Sequence, residues 1–206
     1  SRVSLNPQTM NPGTLGKINR CATVDEFLYS YNSARTLGFD AINCDLILGL
    51  EDETESDFES SLRQVMALAP ENITLHALCK KRTSDTSAER ILEKRVDVSA
   101  FQDSARVLLS DAGYRPYYLY KQKYAVSSAE NVGYAKPGTE CLYNVRMMGG
   151  KQSIYAIGAG SSTKLVDREG NYRNIFTIKE VPLYIETIDT VIEKKLREYE
   201  KTEKCR

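Results

Sequence analysis

The 206-residue chain has a single histidine, no excess of either charge, no long apolar run and no closely spaced pair of cysteines. Each absence excludes something. Lys plus Arg number 28 and Asp plus Glu number 28, so the broad electropositive footprint of a nucleic-acid binder is missing. No apolar stretch approaches the roughly 20 residues of a membrane span, and nothing at the N-terminus reads as a signal peptide. The expectation is a soluble, cytoplasmic protein with no nucleic-acid partner and no membrane span. The five cysteines stand at positions 21, 44, 79, 141 and 205. An odd number so widely dispersed suggests neither a disulfide scaffold nor a compact Cys-x-x-Cys site. With His76 as the one imidazole, a local metal site has almost no ligands to draw on. Cys44 and Cys79 lie in apolar segments and read as small buried hydrophobes.

What is present is a strand–helix alternation. Residues 3–8 read as a strand, and the chain opens inside it, which predicts a missing neighbour strand. Asn11-Pro12 opens a helical turn with proline at its first position. Thr23 and Glu26 form a capping box for a helix running to Leu37, with Gly38 as its stop. Ala41–Leu48 is nearly continuous in apolar residues, as in a strand buried on both faces of a parallel sheet. Thr54 and Asp57 make a second capping box, ahead of an apolar face of Phe58, Leu62, Val65 and Met66. Ile73–Leu78 is the next strand, followed by the basic segment Lys80–Ser87 and a short helix near Ala88–Lys94. Ser99 and Gln102 are expected to cap a helix carrying Phe101, Ala105, Leu108 and Leu109 up to Gly113, and Arg115–Tyr120 forms a further strand. Strand starts near 3, 41, 73 and 115 have the pace of strand–helix units joined by right-handed crossovers, which makes the sheet parallel. From 121 to 152 the pattern weakens, which suggests a long loop over an active face. Ser153–Ile157 reads as a strand leading into Gly158-Ala159-Gly160, residues 172–181 as an irregular strand, and Pro182–Glu200 as a terminal helix with Ile185, Ile188, Ile192 and Leu196 on one face. Either a curved partial barrel or an open α/β sheet fits this order.

In parallel α/β architectures ligands meet the C-terminal ends of strands. Gln8 lies at such an end, and its amide both donates and accepts; a buried glutamine tying down the next loop is the structural alternative. Arg20 could fork two hydrogen bonds to a carboxylate or form an ordinary surface ion pair. Asp45 interrupts an apolar strand, and a carboxylate there must be hydrogen-bonded, paired or protonated. It either holds ribose hydroxyls or an ammonium, or it anchors structure. Gly158-Ala159-Gly160-Ser161-Ser162 allows close backbone approach to a nucleotide, or simply packs a tight turn. His76 is a proton donor or a satisfied structural group, and Lys80, Lys81 and Arg82 face an acidic substrate or solvent. No serine–histidine or cysteine–histidine pairing points to hydrolysis.

The segments Arg2-Val-Ser-Leu-Asn-Pro-Gln8, Leu15-Gly-Lys-Ile-Asn-Arg20, Asn43-Cys-Asp-Leu-Ile-Leu-Gly-Leu50 and Ile157-Gly-Ala-Gly160 together resemble the radical S-adenosylmethionine enzymes. The nearest branch is the oxygen-independent coproporphyrinogen III oxidases and their dehydrogenase-like members. Asn131-Val-Gly-Tyr-Ala-Lys-Pro-Gly-Thr-Glu140 with Asn144 resembles a loop that this branch shares with its haem-chaperone relatives. The resemblance implies a partial TIM-like (β/α) barrel of mainly parallel strands that lacks its N-terminal strands and carries a C-terminal helical extension. Residues 1–120 would be the C-terminal half of the barrel, and 121–206 a family-specific region with a glycine-rich strand–loop and terminal helix.

The resemblance also implies that Gln8, Arg20 and Asp45 contact S-adenosylmethionine, with further contacts from Leu78 or Cys79 and from Ile157 or Gly158. The family's Cys-x-x-x-Cys-x-x-Cys motif, ligand to a [4Fe–4S] cluster, lies upstream of the first strand and is absent. The full-length parent would use that cluster, a reducing electron donor and a 5′-deoxyadenosyl radical to decarboxylate the propionates of a porphyrinogen substrate to vinyl groups in haem biosynthesis. This fragment alone would be inactive, and its raw sheet edge would favour self-association. A haem chaperone of the same superfamily, or a radical enzyme with another substrate, is the alternative.

Overall fold

The structure is a computed structural model and describes residues 1–79, 98–121 and 129–204. It divides into two compact units, Ser1–Val145 and Arg146–Arg206. The first is built on a five-stranded sheet in the order β1-β2-β3-β5-β4. These strands are β1 (Arg2–Ser4), β2 (Ala41–Leu48), β3 (Asn72–Ala77), β4 (Arg115–Tyr120) and β5 (Asn131–Ala135).

Local signals account for most of the helices. Asn11 accepts from the backbone N–H groups of Gly13 and Thr14 at the start of α1 (Pro12–Lys17), and both expected capping boxes form, Thr23 with Glu26 at α2 (Val24–Thr36) and Thr54 with Asp57 at α3 (Glu55–Ala67). Gly38 and Gly49 take positive φ where α2 and β2 end, a conformation glycine adopts without penalty. α4 (Val98–Asp111) buries Val98, Phe101, Ala105 and Leu109 at three- and four-residue spacing. Ser99 lies inside that helix rather than capping it. Gln102 is likewise not a cap: its amide donates to the Glu130 carbonyl at 2.8 Å. The segments Lys80–Ser87 and Ala88–Lys94 lie outside the described residues.

The core is one-sided. Ile42, Cys44, Leu46 and Leu48 of β2 join Ile73, Leu75 and Ala77 of β3 against Phe27 and Tyr31 of α2, Phe58, Leu62 and Val65 of α3, and Phe101 and Leu109 of α4. Each such aliphatic side chain stabilises the fold by about 2 kcal/mol on burial. Cys44 is closed from solvent, as expected of a small hydrophobe, and burial pushes its thiol up to about 12.

Three expectations need correction. β2 is not buried on both faces, because Asn43, Asp45 and Ile47 alternate with the closed positions and stay half-buried. The sheet is not mainly parallel: β1–β2 and β2–β3 pair parallel, but β5 inserts antiparallel between β3 and β4. The segment 121–152 is not one long loop. It contains β5, buried at all five positions, and α5 (Leu142–Gly149). The Lys136–Thr139 turn, with Pro137 and Gly138 (φ 83°) at its centre, does not cover an active face. Asn72 donates to the Thr139 carbonyl at 3.0 Å, Arg2 donates to it at 2.9 Å, and the Lys136 N–H donates to the Glu71 carbonyl at 3.0 Å. The turn therefore sits at the N-terminal ends of β1 and β3, opposite the end where Gln8 lies.

The second unit holds the antiparallel hairpin β6 (Ser162–Val166) and β7 (Tyr172–Phe176), followed by α6 (Val181–Glu186) and α7 (Ile188–Lys204). Ser153–Ile157 contributes only the isolated bridge Ile154↔Lys164, and β7 is regular over its five residues. The expected single terminal helix breaks at Thr187, whose hydroxyl donates to the Leu183 carbonyl at 2.7 Å. Such back-bonding bends helices.

Candidate functional site: the polar inner face of the sheet

Register fixes what the half-buried face carries. Asp45 pairs with Thr74, Thr74 with Gly133, and Gly133 with Tyr118, so these four residues form one row across four strands. In the next row Ile47 pairs with His76, while Asn131 pairs with Tyr120. Gly133 is required in its row because a Cβ there would lie 1.9 Å from the Tyr118 ring. The rings of Tyr118 and Tyr120 stack at 6.4 Å with an interplanar angle of 5°.

Asp45 is the centre of the hydrogen bonding. Its Oδ1 accepts from Asn43 Nδ2 at 2.7 Å, and its Oδ2 lies 3.4 Å from His76 Nε2. Asn43 is itself fixed by Thr74, whose hydroxyl donates to Asn43 Oδ1 at 3.0 Å. The Asp45 side chain retains 18% of its exposure. A carboxylate offers about four lone-pair sites, so with two neighbours in place it still has capacity for ligand hydroxyls. Burial pushes the Tyr118 phenol up to about 12, so it stays protonated and remains a donor.

Gln8 reaches this face through the backbone. Its N–H donates to the Asp45 carbonyl at 3.0 Å, and its own carbonyl accepts from Ile47 at 2.8 Å. The residue has φ 68°, a left-handed conformation uncommon for a side chain of this size. Leu78 and Cys79 follow directly on β3 and are half-buried. Arg20 is exposed after α1 and lines a different place, a groove of about 570 Å³ shared with Leu5, Pro7 and Phe27. Among the described residues no hydrogen bond or ion pair joins Arg20 to Gln8 or Asp45. Ile157, 93% exposed, and Gly158, at φ 107°, belong to the second unit. There the Gly158 carbonyl accepts from the Thr177 hydroxyl at 2.8 Å.

Asn43, Thr74, Tyr118, Tyr120 and Asn131 were not visible as candidates in the sequence, and His76 was visible only as an isolated residue. A signal existed: Asn72, Thr74 and His76 alternate at period two, as do Asn43 and Asp45 and the pair Tyr118 and Tyr120. Among the described residues, no group of three or more His, Cys, Asp or Glu forms a metal site. The remaining acceptor capacity of Asp45 fits a ligand that presents hydroxyl groups. No helix of the described residues is long and apolar enough to cross a membrane.

The oxygen-independent coproporphyrinogen-III oxidase-like protein HemZ of Bacillus subtilis is 36% identical over 200 residues, 95% of this chain and 40% of its own length. The chain is a homologue of coproporphyrinogen III oxidase-like proteins. The heme chaperone HemW of Haemophilus influenzae is 27% identical over 187 residues, 89% of this chain and 45% of its own length. Among solved structures, the radical SAM enzyme coproporphyrinogen III oxidase (HemN) of Escherichia coli superposes with a TM-score of 0.60 over 92% of this chain and 43% of its own, at 19% identity. That likeness is one of fold: the five-stranded sheet with its helices resembles part of that enzyme's fold. No protein-family model matches the chain. The chain spans less than half the length of HemZ and HemW.

Proposed function

We propose that the chain is the cofactor-binding half of an oxygen-independent coproporphyrinogen III oxidase or dehydrogenase. The observation that carries this reading is Asp45, a half-buried carboxylate held on the open face of a sheet, in a homologue of HemZ. Asp45 would accept the ribose hydroxyls of S-adenosylmethionine, with Asn43 and His76 fixing its two oxygens. Gln8 would present its amide beside that carboxylate, and Leu78 or Cys79 would supply a neighbouring contact from the end of β3. Arg20 would add a cationic contact. Bound in the full-length protein, S-adenosylmethionine would supply hydrogen-abstracting radical chemistry, and Asp45, Gln8 and Arg20 would be the residues of this chain that hold it. The chain's own part is to bind and orient that cofactor and to exclude water.

The matches to HemW give a second reading, a haem chaperone built on the same fold. The two separate in one experiment. The full-length protein is reconstituted without oxygen, reduced with S-adenosylmethionine and coproporphyrinogen III, and followed by mass-resolved chromatography. 5′-Deoxyadenosine together with a decarboxylated porphyrin is the expected result. A parallel incubation with haem supplies the other arm: retention of that haem, with no decarboxylated product from coproporphyrinogen III, would overturn the oxidase reading in favour of the chaperone.

A further inference from the structure

We propose that His76 is a positioning residue that holds Asp45 through a permanent Nε2–H donor. The proposal rests on the reading of Asp45 as a contact for S-adenosylmethionine, and it adds a residue that the resemblance does not assign. Two facing atoms set the geometry, His76 Nε2 and Asp45 Oδ2 at 3.4 Å. They attract only if Nε2 carries a proton, because a carboxylate oxygen has nothing to donate.

The surroundings of the other ring nitrogen secure that proton. Nδ1 lies 3.3 Å from the Tyr120 hydroxyl and 3.3 Å from Asn131 Oδ1. The Asn131 amide is fixed: Oδ1 accepts from the Ala77 N–H at 3.0 Å, and Nδ2 donates to the Tyr120 carbonyl at 3.2 Å. Nδ1 therefore has a fixed acceptor and a rotatable donor beside it. In a neutral ring the Nε2–H form serves both ends at once, Nε2 donating to Asp45 and Nδ1 accepting from Tyr120, whereas the Nδ1–H form would leave the Nε2 lone pair facing the Asp45 carboxylate. In a charged ring Nδ1–H donates to Asn131 Oδ1, and Nε2 is again protonated. Both forms aim an N–H at Asp45. A lone acceptor beside Nδ1 would instead draw the neutral ring's proton there and turn the Nε2 lone pair on the carboxylate.

Asn131 is fully buried and Tyr120 sits opposite it in the β4–β5 register. Three strands thus converge on the ring: Asp45 from β2, Asn131 from β5 and Tyr120 from β4.

The test combines a ligand-free readout with binding. Imidazole ¹⁵N shifts of the full-length protein, with the His76 signals identified by their loss in His76→Gln, should report protonated Nε2 in both the charged and the neutral ring. In Tyr120→Phe the neutral ring should move toward the Nδ1–H form. Affinity for S-adenosylmethionine should fall at least tenfold in His76→Ala and return to within about threefold of wild type in His76→Gln, whose amide restores a donor. A neutral ring protonated at Nδ1 in the wild type, or His76→Ala binding as tightly as wild type, would overturn the proposal. If the wild type bound no S-adenosylmethionine, the reading of Asp45 would fail. The ring's proton position, measured without ligand, would still decide whether the donor exists.

Discussion

On β2, Ile42, Cys44, Leu46 and Leu48 are closed from water, whereas Asn43, Asp45 and Ile47, each one residue away, are half-buried. The first set meets three helices. The second meets Thr74, His76, Tyr118 and Tyr120 in a polar array with an open side. The same strand therefore serves stability on one face and recognition on the other, and polarity alone does not tell them apart. Glu53 makes the distinction clear. It is buried, its Oε1 accepts from Thr9 at 2.5 Å, and the Thr14 hydroxyl also bears on the carboxyl. Thr9 and Met10 are tied to Ser61 in the same cluster. That carboxyl is enclosed and reads as structural, whereas Asp45 is half open.

The comparison is broken most severely from the apolar side. Leu46→Ala should cost about 2–5 kcal/mol, read as a lowered denaturation midpoint, while the surviving folded protein keeps its affinity for S-adenosylmethionine. Loss of affinity without loss of stability would mean that the two faces are not separable. Gly133→Ala probes the polar face by crowding it. The added Cβ would displace the Tyr118 ring, costing about 1–3 kcal/mol, and tyrosine fluorescence and ligand affinity should both change. A silent substitution would show that Tyr118 is not held flat over β5.

Glu53→Gln should have the smallest effect, and its sign depends on pH. Burial raises the Glu53 carboxyl above its ordinary value of about 4.5. The folded chain thus holds that proton more tightly than the unfolded chain does. Its contribution to stability is full below the ordinary value and is lost as pH rises through the raised one. Denaturation midpoints of the wild type should fall over that window relative to those of Glu53→Gln, which cannot ionise. Parallel curves for the two proteins would show that Glu53 does not titrate differently on folding.

Much of the outer architecture was legible in the sequence because its signals are local. Both capping boxes, the Asn11 cap and the bounds of β2 rest on residues within a few positions of one another. Asp45 stood out because a charge in an apolar strand is conspicuous. β5 was missed because Gly133, Pro137 and Gly138 gave 131–140 the composition of a loop. The glycine is there for the Tyr118 ring, a contact only the folded register reveals. Two partners of Asp45 were hidden for the same reason: Thr74 and His76 reach it by pairing between strands, whereas Asn43, two residues away on β2, shares its face by the period of the strand. The break at Thr187 was likewise masked by an apolar periodicity that continues through it.

Asp45 offers the most direct test of the account. S-adenosylmethionine would be titrated calorimetrically into the full-length wild type and into Asp45→Asn, with thermal midpoints recorded for both. The account predicts saturable binding by the wild type and an affinity at least tenfold lower in the variant, about 1.4 kcal/mol or more, at a nearly unchanged midpoint. Equal affinity in the two proteins, or a collapsed midpoint with affinity intact in the folded fraction, would contradict it and make Asp45 an anchor of the sheet.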